Sequence, residues 1–122
     1  MTQTNPITLK WFHFDQNNSG GYFIVNDTVA EDVYIQAENA EQATVRAEAI
    51  LEPYSEYCHC CGERWSYYIG DDDGYDVPTK YATPITNVRA STYHKQARLH
   101  HDDGTVETYF YTNHPNHPNQ LT

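Results

Sequence analysis

The small supply of large apolar side chains is the feature that most limits how this chain can fold. Leu, Ile, Val and Phe together make up 21 of its 122 residues, a fraction that is typical of disordered chains when the net charge is high. Eleven Tyr and two Trp residues compensate, because each buries a large ring while its polar atom needs a partner. We therefore expect one ordered domain that is rich in strand and has a thin core.

The first half of the chain contains three short blocks that favour strands. Residues 9–15 and 22–25 are aromatic and aliphatic, and the segment 16–21 between them is rich in Asn and Gly. This arrangement predicts an antiparallel hairpin. Residues 33–37 predict a further strand.

A second hairpin is predicted near the end of the chain, where Asp103 and Gly104 suit a two-residue turn. A turn at these two residues pairs Leu99 with Thr108. The residues that it places on the inner face are Ala97, Leu99, Val106 and Phe110.

One helix is predicted over residues 40–51. Asn39 suits the N-cap, Gln42 follows three residues later as in a capping box, and Pro53 prevents further helix. The apolar face consists of Ala40, Ala43, Ala47, Ile50 and Leu51. The expected fold is α+β: an antiparallel sheet of four to six strands, with this helix packed on it and a cysteine-rich turn after the helix. We expect residues 1–112 to form the domain and residues 113–122 to form a flexible tail rich in His, Pro and Asn.

All three cysteines of the chain lie within residues 58–61. Cysteines this close together bridge only with difficulty, so a disulfide framework is not expected. Cys58 and Cys61 have the CxxC spacing at which two thiolates bind one zinc ion. The other ligands would come from Cys60, from His59 or from a distant imidazole. The distant candidates are His94, His100 and His101.

Two other interpretations of the cysteine segment remain open. The thiols could be small buried groups that pack beneath Trp65. They could also perform redox chemistry, with Arg64 or His59 lowering a thiol pKa. The sequence lacks the strand and helix that flank a CxxC pair in thioredoxin-like proteins.

Aromatic and acidic residues after the cysteines form a candidate binding region, since Tyr and Trp are favoured anchors at protein interfaces. Its members are Arg64, Trp65, Tyr67, Tyr68, Asp71, Asp72 and Asp73. An EF-hand is excluded here, because its first and last loop positions would fall on Ile69 and Lys80.

The net charge of −10 argues against direct binding to nucleic acid and favours a basic protein as partner. No stretch is long and apolar enough to cross a membrane, and the first residues do not resemble a signal peptide, so we expect a cytoplasmic protein. The sequence contains no nucleophile elbow, no HExxH motif and no phosphate-binding loop, so an enzyme is not expected.

The order of the alanine-rich helix, the segment 58–65 and the late hairpin resembles a group of small bacteriophage proteins of unknown function. In that group a CxCCGxRW box follows a similar helix, and this chain has His59 and Glu63 at the two variable positions. The similarity covers about residues 33–110. It implies a phage origin and a location in the host cytoplasm, and it implies no activity.

The favoured function is noncatalytic binding that inhibits or redirects a host protein, in host takeover or against host defence. One alternative is a DNA mimic that blocks a nucleic-acid-binding host enzyme. The others are a protein that sequesters a small ligand such as a nucleotide signal, and a metal-dependent enzyme. Pairing of an open sheet edge would give a homodimer.

Overall fold

The described part of the protein is a four-stranded sheet with a helix on one face and an irregular segment on the other. The computed structural model describes residues 8–17, 23–54, 57–58, 62–66, 73–91 and 94–115. The elements in chain order are β1 (Lys10–Asp15), β2 (Asp32–Ala37), α1 (Ala40–Leu51), β3 (Tyr57–Cys58), β4 (Gly62–Glu63), β5 (Thr79–Lys80), β6 (Thr83–Pro84), β7 (Gln96–His100) and β8 (Val106–Phe110). Short 3₁₀ turns cover Glu52–Tyr54 and Ile85–Asn87.

The predicted α+β class is confirmed, and the sheet is mixed. Its strand order is β1-β2-β7-β8, and β3-β4 and β5-β6 form separate two-stranded ladders. The expectation of an antiparallel sheet is wrong at the central pair, because β2 and β7 run parallel. Parallel neighbours need a crossover connection, and the chain between β2 and β7 contains α1.

The predicted hairpin between residues 9–15 and 22–25 is also wrong. Residues 23–25 contain no strand, and β1 pairs antiparallel with β2 instead, with Asp15 opposite Asp32. The buried side chain of Gln16 accounts for the difference. Its amide donates to Ile24 O at 3.0 Å and accepts from Ile24 N at 2.7 Å, so the backbone of Ile24 is bonded by a side chain and not by a strand.

The helix begins and ends where the sequence predicts. Asn39 is the N-cap and its side chain accepts from Gln42 N. The Gln42 side chain reaches Glu38 N at 3.4 Å, one residue before the position that a capping box uses. Ala43, Ala47 and Leu51 are buried on the inner face. In the described part of the chain, no helix is long and apolar enough to cross a membrane.

The late hairpin forms with a register one residue away from the predicted one. Leu99 lies opposite Glu107 and not opposite Thr108. The loop has three residues, since His101 N donates to Thr105 O at 2.8 Å and Gly104 N donates to His101 O at 3.0 Å. Gly104 has a φ of +93°, as in a three-residue hairpin with a glycine bulge. Val106 is consequently 39% exposed and does not join the core.

Alternation along the strands gives the sheet two different faces. The helix face is apolar and contains Phe12, Phe14, Val33, Ile35 and Ala37 together with the inner residues of α1 and Trp65. The opposite face carries a second apolar cluster of Trp11, Tyr34, Ile85, Ala97, Leu99 and Tyr111. Residues 75–90 cover part of this second face, where Ile85, Val88 and Ala90 pack on the cluster.

The first residues of the tail are packed. His114 N donates to Tyr111 O at 3.0 Å, and the His114 ring stacks on Phe110 with centroids 4.6 Å apart. Residues 116–122 of the predicted tail lie outside the described residues.

The backbone at Gly74 lies close against side chains of β1, and this gives a prediction about stability. A Cβ added at Gly74 would lie 2.7 Å from Lys10 Cβ and 2.7 Å from the Phe12 ring, whereas one at Gly104 would meet nothing within 4 Å. Both glycines have positive φ, so alanine strains the backbone at either. We expect Gly74→Ala to lower the free energy of unfolding by about 1–3 kcal/mol more than Gly104→Ala does. Urea unfolding of both variants measures the difference, and equal losses would contradict the close approach.

Candidate functional site

A charged cluster lies on the sheet face opposite the helix, where β1 ends and β2 begins. Asp15 is the last residue of β1 and lies opposite Asp32, the first residue of β2. His13 lies two residues before Asp15 and therefore on the same face. The β5-β6 hairpin, His94 just before β7 and Tyr111 just after β8 supply the remaining side chains, so five separate segments meet here.

Asp32 is at the centre of this cluster, and its side chain is fully buried. One carboxylate oxygen, Oδ1, accepts from His13 Nε2 at 2.8 Å. The other, Oδ2, accepts from Tyr111 OH at 2.6 Å, from Lys80 Nζ at 3.0 Å and from His94 Nδ1 at 3.1 Å. Burying a carboxylate costs free energy unless it is paired in this way. Both oxygens of Asp32 have partners.

The charges of the cluster shift its titration. Burial opposes the charge on Asp32, but the hydrogen bonds from His13 and His94 and the positive charges of His13 and Lys80 outweigh it and hold the pKa of Asp32 well below its usual range. Burial also opposes the charge on His13, yet Asp15 and Asp32 outweigh it and raise the pKa of His13. Both shifts favour the ionised forms, so carboxylate and imidazolium stabilise each other.

Two buried tyrosines extend the cluster into the second apolar core. Tyr111 donates to Asp32, so in the bond between the two hydroxyls, which is 2.8 Å long, Tyr34 is the donor. Burial raises the pKa of both hydroxyls above their usual value, which keeps them protonated donors. The His13 ring stacks on Tyr34 with centroids 4.6 Å apart, and this contact fixes the plane of the imidazole.

An unusual turn aims Lys80 and Tyr81 at the cluster. The β5-β6 ladder is closed by Tyr81 and Ala82, which have φ of +48° and +70°. Positive φ at both turn positions normally calls for Asn or Gly, and a residue with a Cβ pays in strain. In return Lys80 Nζ reaches Asp32, and Tyr81 OH donates to Asp15 Oδ2.

A cavity of about 350 Å³ adjoins the cluster. Asp15 belongs to both, so the cavity gives an approach to the cluster from outside. The lining residues are Asp15, Gln16, Asn17, Trp65, Ser66 and His94.

The structure places the residues that the sequence suggested as metal ligands or binding residues in several different settings. Cys58 lies in β3 opposite Gly62. His100 Nε2 donates to Thr28 O at 2.7 Å, and His101 Nε2 bonds Glu107 at 3.0 Å. Among the three distant imidazoles, His94 is the one that joins the Asp32 cluster. The predicted site residues that lie outside the described part of the chain are His59, Cys60, Cys61, Tyr67, Tyr68, Asp71 and Asp72.

Arg64 and Trp65 are buried, so neither forms an exposed anchor as placed. Trp65 is 3% exposed, belongs to the apolar core, and donates from Nε1 to Tyr54 O at 3.1 Å. Arg64 is 1% exposed and donates to Gln16 Oε1 at 3.0 Å. Asp73 is exposed. Trp65 is therefore part of the apolar core.

The sequence analysis did not single out His13, Asp15 or Asp32. The available signal was the position of the two carboxylates at the ends of strands that pair with each other. The wrong prediction that β1 pairs with residues 22–25 did not bring the two carboxylates together. The pairing of β1 with β2 does, because it puts Asp15 opposite Asp32.

With the fold and the cluster described, comparison with known proteins assigns a family. The family profile described as "Domain of unknown function (DUF7296)" matches residues 9–116. The chain belongs to this family. The match includes every element of the sheet and the whole charged cluster. Searches of curated proteins and of solved structures found no match.

Membership confirms a family of unknown function, as the sequence analysis expected. The profile match carries no information on a phage origin or on the CxCCGxRW box, and both remain predictions. What this DUF7296 domain does must therefore be argued from its own residues.

Asp32 gives the second prediction. Asp32→Asn removes the negative charge that His13 and Lys80 share while leaving them buried or half-buried. We expect the free energy of unfolding to fall by about 3–5 kcal/mol, as when one partner of a buried ion pair is removed. Asp76→Asn is the matched control, because Asp76 pairs with Lys10 and its side chain is 83% exposed. The control should lose less than about 1 kcal/mol, and equal losses in a urea unfolding experiment would refute a central role for Asp32.

Proposed function

We propose that this protein is a noncatalytic binding protein whose acidic exterior engages a basic surface on another protein. The observation that carries the proposal is the distribution of charge. Among the described residues ten acidic side chains are exposed and only two basic ones are. The exposed acids are Asp27, Glu38, Glu41, Glu48, Glu52, Asp73, Asp76, Asp102, Asp103 and Glu107, and the exposed bases are Arg89 and Lys95.

The chain has only seven basic residues against seventeen acidic ones, and five of the seven are partly or fully buried. Arg46 donates to Gln36 O and to His101 O, and Arg98 donates to Asn26 O at 2.7 Å. These guanidinium groups bridge backbone carbonyls of separate segments instead of pairing with surface acids. Exposed acids thus outnumber exposed bases among the described residues, and this excess of negative charge attracts a basic partner over distance, which raises association rates.

One surface combines acid with exposed apolar area and is the best candidate for the contact itself. Glu41, Val45, Glu48 and Glu52 follow each other at spacings of four, three and four residues, so they share one face of α1 and its end. We call this surface the helix stripe. Val45 is 61% exposed at its middle. An apolar side chain surrounded by charge suits a protein interface, where the centre is apolar and the rim polar.

The resemblance to bacteriophage proteins specifies the proposal further. On that basis the partner is a bacterial host protein, the protein acts in the host cytoplasm, and binding inhibits or redirects the partner during host takeover or against host defence.

The helix stripe gives the third prediction. After affinity isolation and mass spectrometry identify a partner, binding of purified proteins is measured at several salt concentrations. The variant Glu41→Gln/Glu48→Gln/Glu52→Gln should slow association at least about tenfold at low salt, because it removes the charges that steer the encounter. The wild-type association rate should fall as salt rises.

A matched variant separates the helix stripe from net charge alone. Asp102→Asn/Asp103→Asn/Glu107→Gln also removes three negative charges, at the β7-β8 turn and in the adjoining part of β8. It should slow association less than the helix-stripe variant does, because these charges lie away from the contact. Equal weakening by both variants would reject the helix stripe as the contact, and unchanged binding in both would reject the electrostatic proposal.

The alternatives make different predictions in the same experiments. A DNA mimic would bind a nucleic-acid-binding enzyme and would be displaced by duplex DNA, whereas the favoured partner is bound irrespective of DNA. A ligand-sequestering protein is favoured only by the cavity beside Asp15 and His94. It would show a rise in melting temperature with a nucleotide at millimolar concentration.

The predicted homodimer stays a prediction. β8 forms one edge of the four-stranded sheet, and residues 106–108 are exposed there. Such an edge offers backbone groups to a second copy. Sedimentation velocity at several concentrations distinguishes a monomer from a dimer.

A further inference from the structure

We propose that His13, Asp15 and Asp32 bind a divalent first-row transition-metal ion. One donor atom from each residue lies within 4.8 Å of the other two. The three residues come from two neighbouring strands of the sheet, so their separation is set by rigid elements and not by loops. This site shares no ligand with the cysteine segment, and it does not depend on the acidic exterior that carries the proposed function.

The distances inside the cluster fit a common ion. His13 Nε2 lies 2.9 Å from Asp15 Oδ1 and 2.8 Å from Asp32 Oδ1. Two ligands bound at about 2.1 Å and at right angles to each other lie about 3.0 Å apart. The imidazole nitrogen therefore stands from both carboxylates at the separation of adjacent ligands on one metal.

Hydrogen bonding alone leaves one atom of the cluster unsatisfied. Nε2 carries at most one hydrogen, and the hydrogen bond goes to Asp32. Asp15 Oδ1 is buried and lies in ion-pair contact with the same Nε2 at 2.9 Å, but it receives no hydrogen bond from the described residues. Buried polar atoms nearly always have a partner. A metal ion that takes the place of the Nε2 hydrogen, with release of the proton to solvent, would bind Asp15 Oδ1 together with the other two donors.

The outer oxygens of both carboxylates are held in the way that metal sites require. Tyr111 and Lys80 bond Oδ2 of Asp32, and Tyr81 bonds Oδ2 of Asp15. These contacts leave Oδ1 of each carboxylate directed at His13. Such second contacts orient ligands and strengthen metal affinity. The positive φ of Tyr81 and Ala82 is the strain that brings two of these partners into place.

The donor set and the cavity indicate which ions fit. One imidazole and two carboxylates suit Mn²⁺, Fe²⁺ or Zn²⁺, whereas Mg²⁺ and Ca²⁺ prefer oxygen alone. The cavity shares Asp15 with the site, so it provides a path of entry. It also gives room for water or a small ligand at the remaining coordination positions.

Mn²⁺ alone is the probe for the test. Electron paramagnetic resonance of free Mn²⁺ during titration gives the stoichiometry and the dissociation constant for the full-length protein. We expect one equivalent to bind. Asp15→Asn and His13→Gln should each raise the dissociation constant at least about tenfold, since each removes a ligand. Asp76→Asn should leave the dissociation constant unchanged, because the Asp76 carboxylate is exposed and pairs with Lys10.

Further controls make each outcome decisive. Circular dichroism shows whether the variants are folded. Asp15→Asn is more informative than His13→Gln, because the Asp15 side chain is less buried and its replacement disturbs the fold less. The variant Cys58→Ser/Cys60→Ser/Cys61→Ser should bind Mn²⁺ as the wild type does. Three results would overturn the proposal: no binding to the folded wild type at millimolar Mn²⁺, unchanged affinity in both ligand variants, or loss of binding in the cysteine variant. None of them bears on the acidic exterior.

Discussion

The polar side of this sheet depends on one buried carboxylate, Asp32. It sits at the start of the central strand β2, so any side chain that reaches it must come from a neighbouring strand or from the segment that covers this face. His13 comes from β1, Lys80 is the last residue of β5 and Tyr111 follows β8. Since a buried charge is tolerated only with partners, Asp32 requires all of these segments to dock together.

This requirement helps a chain that has few large apolar residues. On the helix face, the alanines of α1 pack against Phe12, Phe14 and the β-branched residues of the sheet. The other face has no second helix in the described part of the chain, and its rings pack around the ionic cluster. The same economy explains the acidic exterior. Cations such as Lys80, Arg46 and Arg98 are used inside the fold, whereas most of the acids lie on the surface.

Local signals predicted part of this fold well. The helix is specified by residues close together in sequence, namely the Asn39 cap and the alanine face, and it forms where predicted. The pairing of β1 depended on the Gln16 side chain, which bonds the backbone of Ile24, and no strand periodicity contains that information. The register of the late hairpin depended on whether Asp102 belongs to the strand or to the turn, a difference of one residue. The cluster around Asp32 was not predicted, because its members lie up to 79 residues from Asp32 in sequence and meet only through tertiary pairing.

The central claim is that Asp32 is an ionised carboxylate held by cationic partners inside the fold. It is tested most directly by following the side-chain carboxyl carbon of Asp32 by NMR as the pH is lowered in the presence of chelator. We expect Asp32 to stay ionised below the pH at which an ordinary aspartate titrates. Its contribution to stability is then present above the unfolded pKa and is lost as the pH falls through the lower folded pKa. An Asp32 that titrates at or above the usual value of about 3.9 in the folded protein would contradict the account.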